Sequence, residues 1–252
     1  MTWRVVSASA IGTSHAATGQ DCQDSCWAQV ALGANNDTLV VFVSDGAGSA
    51  LRGGDGAELA MQVAADFIHQ KLAQPEFGLN DEFAVECVIA IRERIFRQAE
   101  LDGLKARDFA CTFLGLISSR QGTLLMQIGD GGIVVDFGAG LELPIIPMTG
   151  EYANMTHFVT EEDALGVLVS KTFSEQVIKV AAFSDGIQRL ALQMDTNTPH
   201  SPFFAPLFDV LTKAGTDKED QLHRAMENFL NSDAINERTD DDKTLVLAVL
   251  AV

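Results

Sequence analysis

The chain has 252 residues, 47% hydrophobic and 21% charged, which supplies ample material for a packed core and excludes a disordered or fibrous protein. Acidic residues outnumber basic ones 35 to 17, a formal charge of −18. A surface that negative lacks the cationic footprint that nucleic acids and anionic lipids require, and suits divalent cations or a basic protein segment.

The N-terminus, Met1-Thr2-Trp3-Arg4-Val5, begins like a strand and lacks the basic-then-apolar pattern of a signal peptide. No apolar run approaches the roughly 20 residues of a membrane helix. Cys22, Cys26, Cys87 and Cys111 are scattered, and no histidine cluster completes a zinc site around them. The expectation is a cytoplasmic protein with free thiols.

In chain order, Leu39–Val43 reads as the first interior strand. Two helices follow, one carrying Ala60, Ala64, Phe67, Ile68 and Leu72, the other Phe83, Cys87, Val88, Ile91 and Ile95 at helical spacing. Pro75 and Gly78-Leu79-Asn80-Asp81 separate them, which predicts an antiparallel helical hairpin. Strand-like runs then recur at Phe113–Ser118, Thr123–Ile128, Ile133–Phe137, Val177–Phe183 and Thr244–Val249. Gly122, after a polar stretch, predicts one hairpin turn and Gly131-Gly132 the next. Pro199 to Pro206 reads as an irregular loop, and Leu222, Met226, Phe229 and Leu230 as a late helix. Short turns between sequential strands imply antiparallel pairing, and the whole predicts one α+β layered domain spanning residues 1–252.

The informative feature is where the aspartates fall. Leu39–Val43 runs into Ser44-Asp45-Gly46, Leu124–Ile128 into Gly129-Asp130-Gly131, and Val177–Phe183 into Ser184-Asp185-Gly186. Asp240-Asp241-Asp242 sits directly before the last strand. Each carboxylate stands where a rigid strand meets solvent, a position that preorganises a site. Such acids converging on one rim repel one another unless a cation lies between them, and hard ions such as Mg²⁺ or Mn²⁺ prefer oxygen ligands. Asp-Gly after a strand is also an ordinary turn signal, and the acidic triplet alone would be a solvated cluster.

The ordered set Gln23-Asp24, Ser44-Asp45-Gly46-Ala47-Gly48, Phe183-Ser184-Asp185-Gly186 and Asp241-Asp242-Lys243-Thr244 resembles the type 2C metal-dependent Ser/Thr protein phosphatases. The resemblance is to their compact bacterial branch, with Gly12-Thr13-Ser14-His15 and Gly150-Glu151-Tyr152-Ala153-Asn154-Met155-Thr156 as further matching segments. It covers essentially the whole chain in order.

The resemblance implies a four-layer α-β-β-α sandwich, two antiparallel sheets flanked by helix pairs, with two Mn²⁺ or Mg²⁺ ions at one end. It implies that Asp45 bridges both metals, that the Gly46 carbonyl, Asp185 and Asp241 are further ligands, and that Asp24 holds water beside them. Asp130 matches a residue of a third, weaker metal, and Thr112 a structural position. The implied reaction is hydrolysis of phosphoserine or phosphothreonine in proteins by a water activated at the binuclear centre. The implied counterpart is a Ser/Thr kinase; a monomer is the default expectation.

Three positions depart from the family pattern. Gly19 stands where a phosphate-binding arginine is usual, Gln23 where a glutamate often sits, and Arg189 where an aspartate for the additional metal often falls. Arg52 and His15 are the candidate replacements for phosphate binding, the alternative for each being a structural or surface role. Glu151, Tyr152 and Asn154 read as a hydrogen-bonded loop with Tyr152 as an aromatic anchor, the alternative being a rim over the metals that shapes substrate choice. Two other functions stay open on sequence: a catalytically weak phosphatase-fold binding or regulatory module, and a phosphoesterase for a small molecule.

Overall fold

The structure, a computed structural model, describes residues 2–32, 37–74, 78–148, 156–215 and 218–251. Strand β1 (Thr2–Ala10) leads through a short helix α1 (Thr13–Thr18) to β2 (Asp24–Leu32) and β3 (Asp37–Asp45). The long helices α2 (Gly53–Leu72) and α3 (Asp81–Leu101) follow, then a 3₁₀ turn (Ala106–Phe109) and strands β4 (Phe113–Ser119) and β5 (Gly122–Ile128). Next come β6 (Gly132–Asp136), β7 (Leu141–Glu142), α4 (Ala164–Val167), β8 (Val169–Phe173) and β9 (Lys179–Phe183). The chain finishes with α5 (Asp185–Ala191), the short strands β10 (Leu192–Gln193) and β11 (Thr198–Pro199), helices α6 (Ser201–Lys213), α7 (Glu219–Leu230) and α8 (Asp233–Asn236), and β12 (Lys243–Ala251).

Two five-stranded antiparallel sheets result, ordered β1-β12-β9-β6-β7 and β2-β3-β4-β5-β8. Their inner faces share one apolar layer, in which Val41, Val43 and Leu114 meet Ile133, Ala182 and Val246. The outer face of the second sheet packs Phe42, Phe113 and Met126 against Ala64, Cys87 and Ile91 of α2 and α3. The outer face of the first packs Ala181, Phe183 and Leu247 against Phe204, Leu211 and Met226 of α6 and α7. The molecule is thus the four-layer α-β-β-α sandwich. Strand β3 reads as an unbroken apolar run because both its faces are covered, and Leu39 to Val43 are at most 1% exposed.

Asn80 caps α3 by accepting the Phe83 amide, and α2 and α3 pack side by side as the sequence predicts. The Gly122 turn joins β4 and β5 as expected. Two expectations fail. Gly131-Gly132 is not a hairpin turn, because β5 and β6 lie in different sheets and the intervening residues carry the chain across the sandwich. Those glycines are set by close approach: a Cβ on Gly131 would lie 2.5 Å from the Phe183 carbonyl oxygen, and one on Gly132 2.6 Å from the Phe183 ring. The Pro199–Pro206 segment is not a loop either, since α6 starts at Ser201. Pro202 occupies the first turn, where amides have no helical partner, and Pro206 is tolerated because Phe204, Phe208 and Leu211 bury the helix's inner face.

Among the described residues no helix is long and apolar enough to cross a membrane. Phe42 is fully buried between the Trp27 and Phe113 rings, at centroid distances of 5.7 and 5.6 Å. Phe42→Ala should therefore cost about 3–5 kcal/mol, read as a lowered midpoint in urea unfolding. A loss under about 1 kcal/mol would mean that this layer is not the packed core it is taken to be.

Candidate metal centre

The acidic positions come together because five different strand ends open on the same side of the sandwich. Asp24 begins β2, Asp45 ends β3, and the two are register partners. Asp130 lies on the crossing from β5 to β6, Asp185 opens α5 directly after β9, and Asp241 precedes β12. Asp45, Asp130, Asp185 and Asp241 line one cavity of about 350 Å³ with Gly46 and His15. Gly46 can only be glycine there, since a Cβ would come within 2.3 Å of the Gly53 backbone.

Burial dominates the electrostatics. It lifts the Asp45 carboxyl well above the carboxylate range, and Asp24, Asp185 and Asp241 push in the same direction. Burial carries Asp24 to about 7, against hydrogen bonds from Ser184 and Thr244, with Asp242 and Asp185 raising it further. Asp185 is pushed up to about 6 by burial and by Asp130 and Asp241. Asp130 is raised by burial, opposed by the Thr156 hydroxyl. No lysine or arginine lines this cavity among the described residues. Asp24 Oδ1 and Asp130 Oδ1 are buried without a partner.

An all-oxygen donor set, negative and short of donors, fits Mg²⁺ or Mn²⁺ and not a thiolate-preferring metal. Among the described residues no three acids, histidines or cysteines close on a single point. The carboxyls of Asp45 and Asp185 lie in hydrogen-bond contact, with Asp130 and Asp241 on the same cavity.

A hydrogen-bonded frame holds the ring. The Asp45 amide donates to Thr112 Oγ1 at 2.9 Å, the Thr112 amide donates back to the Asp45 carbonyl at 2.8 Å, and Ser44 Oγ donates to the Thr112 carbonyl. Thr112 is therefore structural, as the resemblance implied. Ser184 Oγ donates to Asp24 Oδ2 at 2.6 Å and accepts the Thr244 amide at 2.9 Å. It joins the two sheets at the site.

Asp242 is the anchor that sequence reasoning missed. It is 2% exposed and accepts the amides of Gly12 and Gln23 and the His15 ring at Nδ1, 2.9 Å away. Nothing in Asp240-Asp241-Asp242 marks which acid faces inward; only its offset into β12 decides. Lys243 was missed too: its Nζ donates to the Ile11 carbonyl at 2.9 Å and to Asn236 Oδ1 at 2.7 Å.

Of the two candidate phosphate-binding residues, the structure brings one to the acids. His15 lines the cavity, with Nδ1 engaged by Asp242 and Nε2 on the side of Gly48. Arg52 lines an adjoining cavity with Gly19, Gln23 and Asp24, and its guanidinium pairs with Asp55, lies 3.6 Å from Asp102 and stacks 5.4 Å over the Phe109 ring. Arg189 is exposed on α5 and lines neither cavity. Glu151, Tyr152 and Asn154 lie outside the described residues. All four cysteines are free thiols.

A two-sheet sandwich with an acid-lined cavity at one end fits a metal-dependent enzyme, and the comparisons give the class. The family described as Protein phosphatase 2C matches residues 11–231, and the chain belongs to that family. It is 56% identical to Serine/threonine-protein phosphatase 3 of Escherichia coli (strain K12), over all of both chains. Among solved structures it resembles PppA of Pseudomonas aeruginosa (TM-score 0.66, 17% identity, 100% of this chain and 99% of that one). It also resembles phosphatase Stp1 of Staphylococcus aureus (0.63, 12%, 100% and 96%). A third is the catalytic domain of PstP, solved with two manganese ions (0.60, 16%, 99% of each). At these identities the structural likenesses establish the fold.

The raised carboxyls predict how the metal-free protein responds to pH. Folded Asp185 and Asp24 hold protons up to about 6 and 7, whereas the unfolded chain releases them near 3.8. Stability is therefore fully present below the unfolded value and is lost as pH rises through 6 to 7. In EDTA, Tm should fall between pH 5.5 and 8, and Asp24→Asn should flatten the fall. A Tm that rises over this range would show that the buried acids are compensated some other way.

Proposed function

We propose that this protein removes phosphate from phosphoserine or phosphothreonine of protein substrates, using two Mn²⁺ or Mg²⁺ ions held at the acidic end of the sandwich. The observation that carries this reading is the ring of carboxylates, Asp45, Asp130 and Asp185 partly buried and Asp241 exposed, with no lysine or arginine among the described residues lining their cavity, in a chain of the protein phosphatase 2C family. Asp45, the Gly46 carbonyl, Asp185 and Asp241 would hold the two ions, and Asp130 a third, weaker one. When bound, the ions supply Lewis acidity and lower the pKa of water enough for attack on phosphorus at neutral pH.

The chain's own residues do the rest. Asp45 lies between the acids of both sheets and is fixed through its backbone by Thr112. Asp24, held at Oδ2 by Ser184, offers Oδ1 to a water beside the centre. His15 is held by Asp242 at Nδ1, which leaves Nε2 to donate to or accept from a phosphoryl oxygen according to its protonation. We assign phosphate contact to His15; Arg52 is assigned to the adjoining cavity. No protein nucleophile is needed, in keeping with free thiols whose pKa burial raises, to about 12 for Cys111.

The whole chain acts as one domain, as a cytoplasmic monomer opposed by a Ser/Thr kinase. The free cysteines support a reducing compartment.

The test is hydrolysis of p-nitrophenyl phosphate and of a phosphothreonine peptide with Mn²⁺, Mg²⁺ or EDTA. Turnover should require the metal, and Asp45→Asn and Asp185→Asn should each lower kcat by at least about a hundredfold with the circular dichroism spectrum unchanged. Metal-independent turnover, or near-wild-type rates in both variants, would overturn the reading. His15→Ala should raise KM for both substrates; unchanged kinetics would return His15 to a purely structural role.

A further inference from the structure

The turn that carries Asp130 crosses from β5 in one sheet to β6 in the other, and side chains from two elements clamp its backbone. Its flanking glycines are boxed: a Cβ on Gly129 would lie 2.6 Å from the Thr112 side chain, and one on Gly131 2.5 Å from the Phe183 carbonyl oxygen. Gln127, fully buried on β5, donates from Nε2 to the Gly129 carbonyl at 3.1 Å and to the Gly131 carbonyl at 3.0 Å. The carbonyl of Asp130 itself accepts from Gln188 Nε2 at 2.9 Å. Three consecutive carbonyls are thus engaged by two glutamine amides, one from β5 and one from α5.

With those carbonyls engaged, the group the turn offers to the cavity is the Asp130 carboxylate. Its Oδ2 accepts from the Thr156 hydroxyl, and its Oδ1 is buried without a partner. Gln188 stands three residues after Asp185 on α5, so one short helix carries an acid of the cavity and the donor that fixes the turn bearing another. The two acids oppose each other: after burial, Asp130 contributes most to the rise of Asp185. An unrestrained turn would relax away from that repulsion. Gln188 resists the relaxation with a neutral donor, which adds no charge to compete with a metal ion. The next residue, Arg189, lines neither cavity.

We propose that Gln188 is a positioning residue for the third, weaker ion: by fixing the Asp130 carbonyl it holds the Asp130 carboxylate at the cavity beside Asp185. The affinity of that ion then depends on an amide that acts through the backbone of a ligand, as outer partners of metal ligands do. The proposal rests on the metal-dependent phosphatase reading, which supplies the ion at Asp130. Thr156 acts on the same carboxylate from its other oxygen.

Calorimetric titration of the metal-stripped 252-residue chain with Mn²⁺ reads the sites without turnover. The wild type should bind tight ions and a weaker one, and Asp130→Asn should lose the weaker one. Gln188→Met keeps the side-chain length and removes the donor. It should weaken that ion by roughly ten- to a hundredfold and leave the tight ions unchanged. Gln188→Asn keeps an amide that is too short to reach the carbonyl, and should do the same. Asp130→Asn combined with Gln188→Met should bind Mn²⁺ as Asp130→Asn alone does, because the amide acts through Asp130.

An unchanged weaker ion in both Gln188 variants, a loss shared equally by all the ions, or no Asp130-dependent ion in the wild type overturns the proposal. Turnover of p-nitrophenyl phosphate, measured alongside, separates it from the reading beneath it. Selective loss of the weaker ion without turnover under any metal supports the positioning role and sinks the phosphatase function. Turnover with a weaker ion indifferent to Gln188 does the reverse.

Discussion

The rest of the structure is arranged around the repulsion among carboxylates that it buries together. Asp24, Asp45, Asp130 and Asp185 are each raised above their ordinary range, with burial the first cause in every case and the other acids adding to it. Charges buried in this way cost stability unless something compensates them, and burial raises these carboxyls toward the protonated form. Protons and divalent cations would compete for a site of this kind. Its affinity for the cations is the counterpart of its discomfort without them.

The scaffold has to resist that repulsion, and it does so with backbone and hydroxyl contacts, together with His15 on Asp242 and the charge of Lys243 behind Asp24 and Asp241. Thr112 pins the end of β3, Ser184 ties Asp24 to the start of β12, and Asp242 gathers the amides of Gly12 and Gln23. Behind these contacts stand three apolar layers, so that the strand ends cannot splay without breaking a packed core. Arg52 is turned aside by Asp55 and Asp102. A cation placed among the acids would satisfy them permanently and would weaken the demand for metal.

Much of this is legible in the sequence. Strands β3, β4, β5, β9 and β12 announce themselves as apolar runs, α2, α3 and α7 as helical periodicities, and the Asp-Gly units at strand ends mark the site. What is not legible has identifiable reasons. The crossing at Gly131-Gly132 looks like a hairpin because local composition cannot tell a turn from a close approach to Phe183. Helix α6 hides behind its prolines, since Phe204, Phe208 and Leu211 stabilise it only through packing on the first sheet. Asp242 cannot be told from Asp240 and Asp241 without the register of β12, and the different placements of His15 and Arg52 depend on partners far away in sequence.

The central claim is that these carboxylates are built to be satisfied by divalent cations, and thermal unfolding with and without Mn²⁺ tests it directly. At neutral pH, Mn²⁺ should raise the Tm of the wild-type protein by several degrees, as a ligand bound only to the native state does. Asp45→Asn should start from a higher Tm in EDTA than the wild type and respond little to Mn²⁺. An equal Mn²⁺ response in both proteins, or a lower metal-free Tm for Asp45→Asn, would contradict the account.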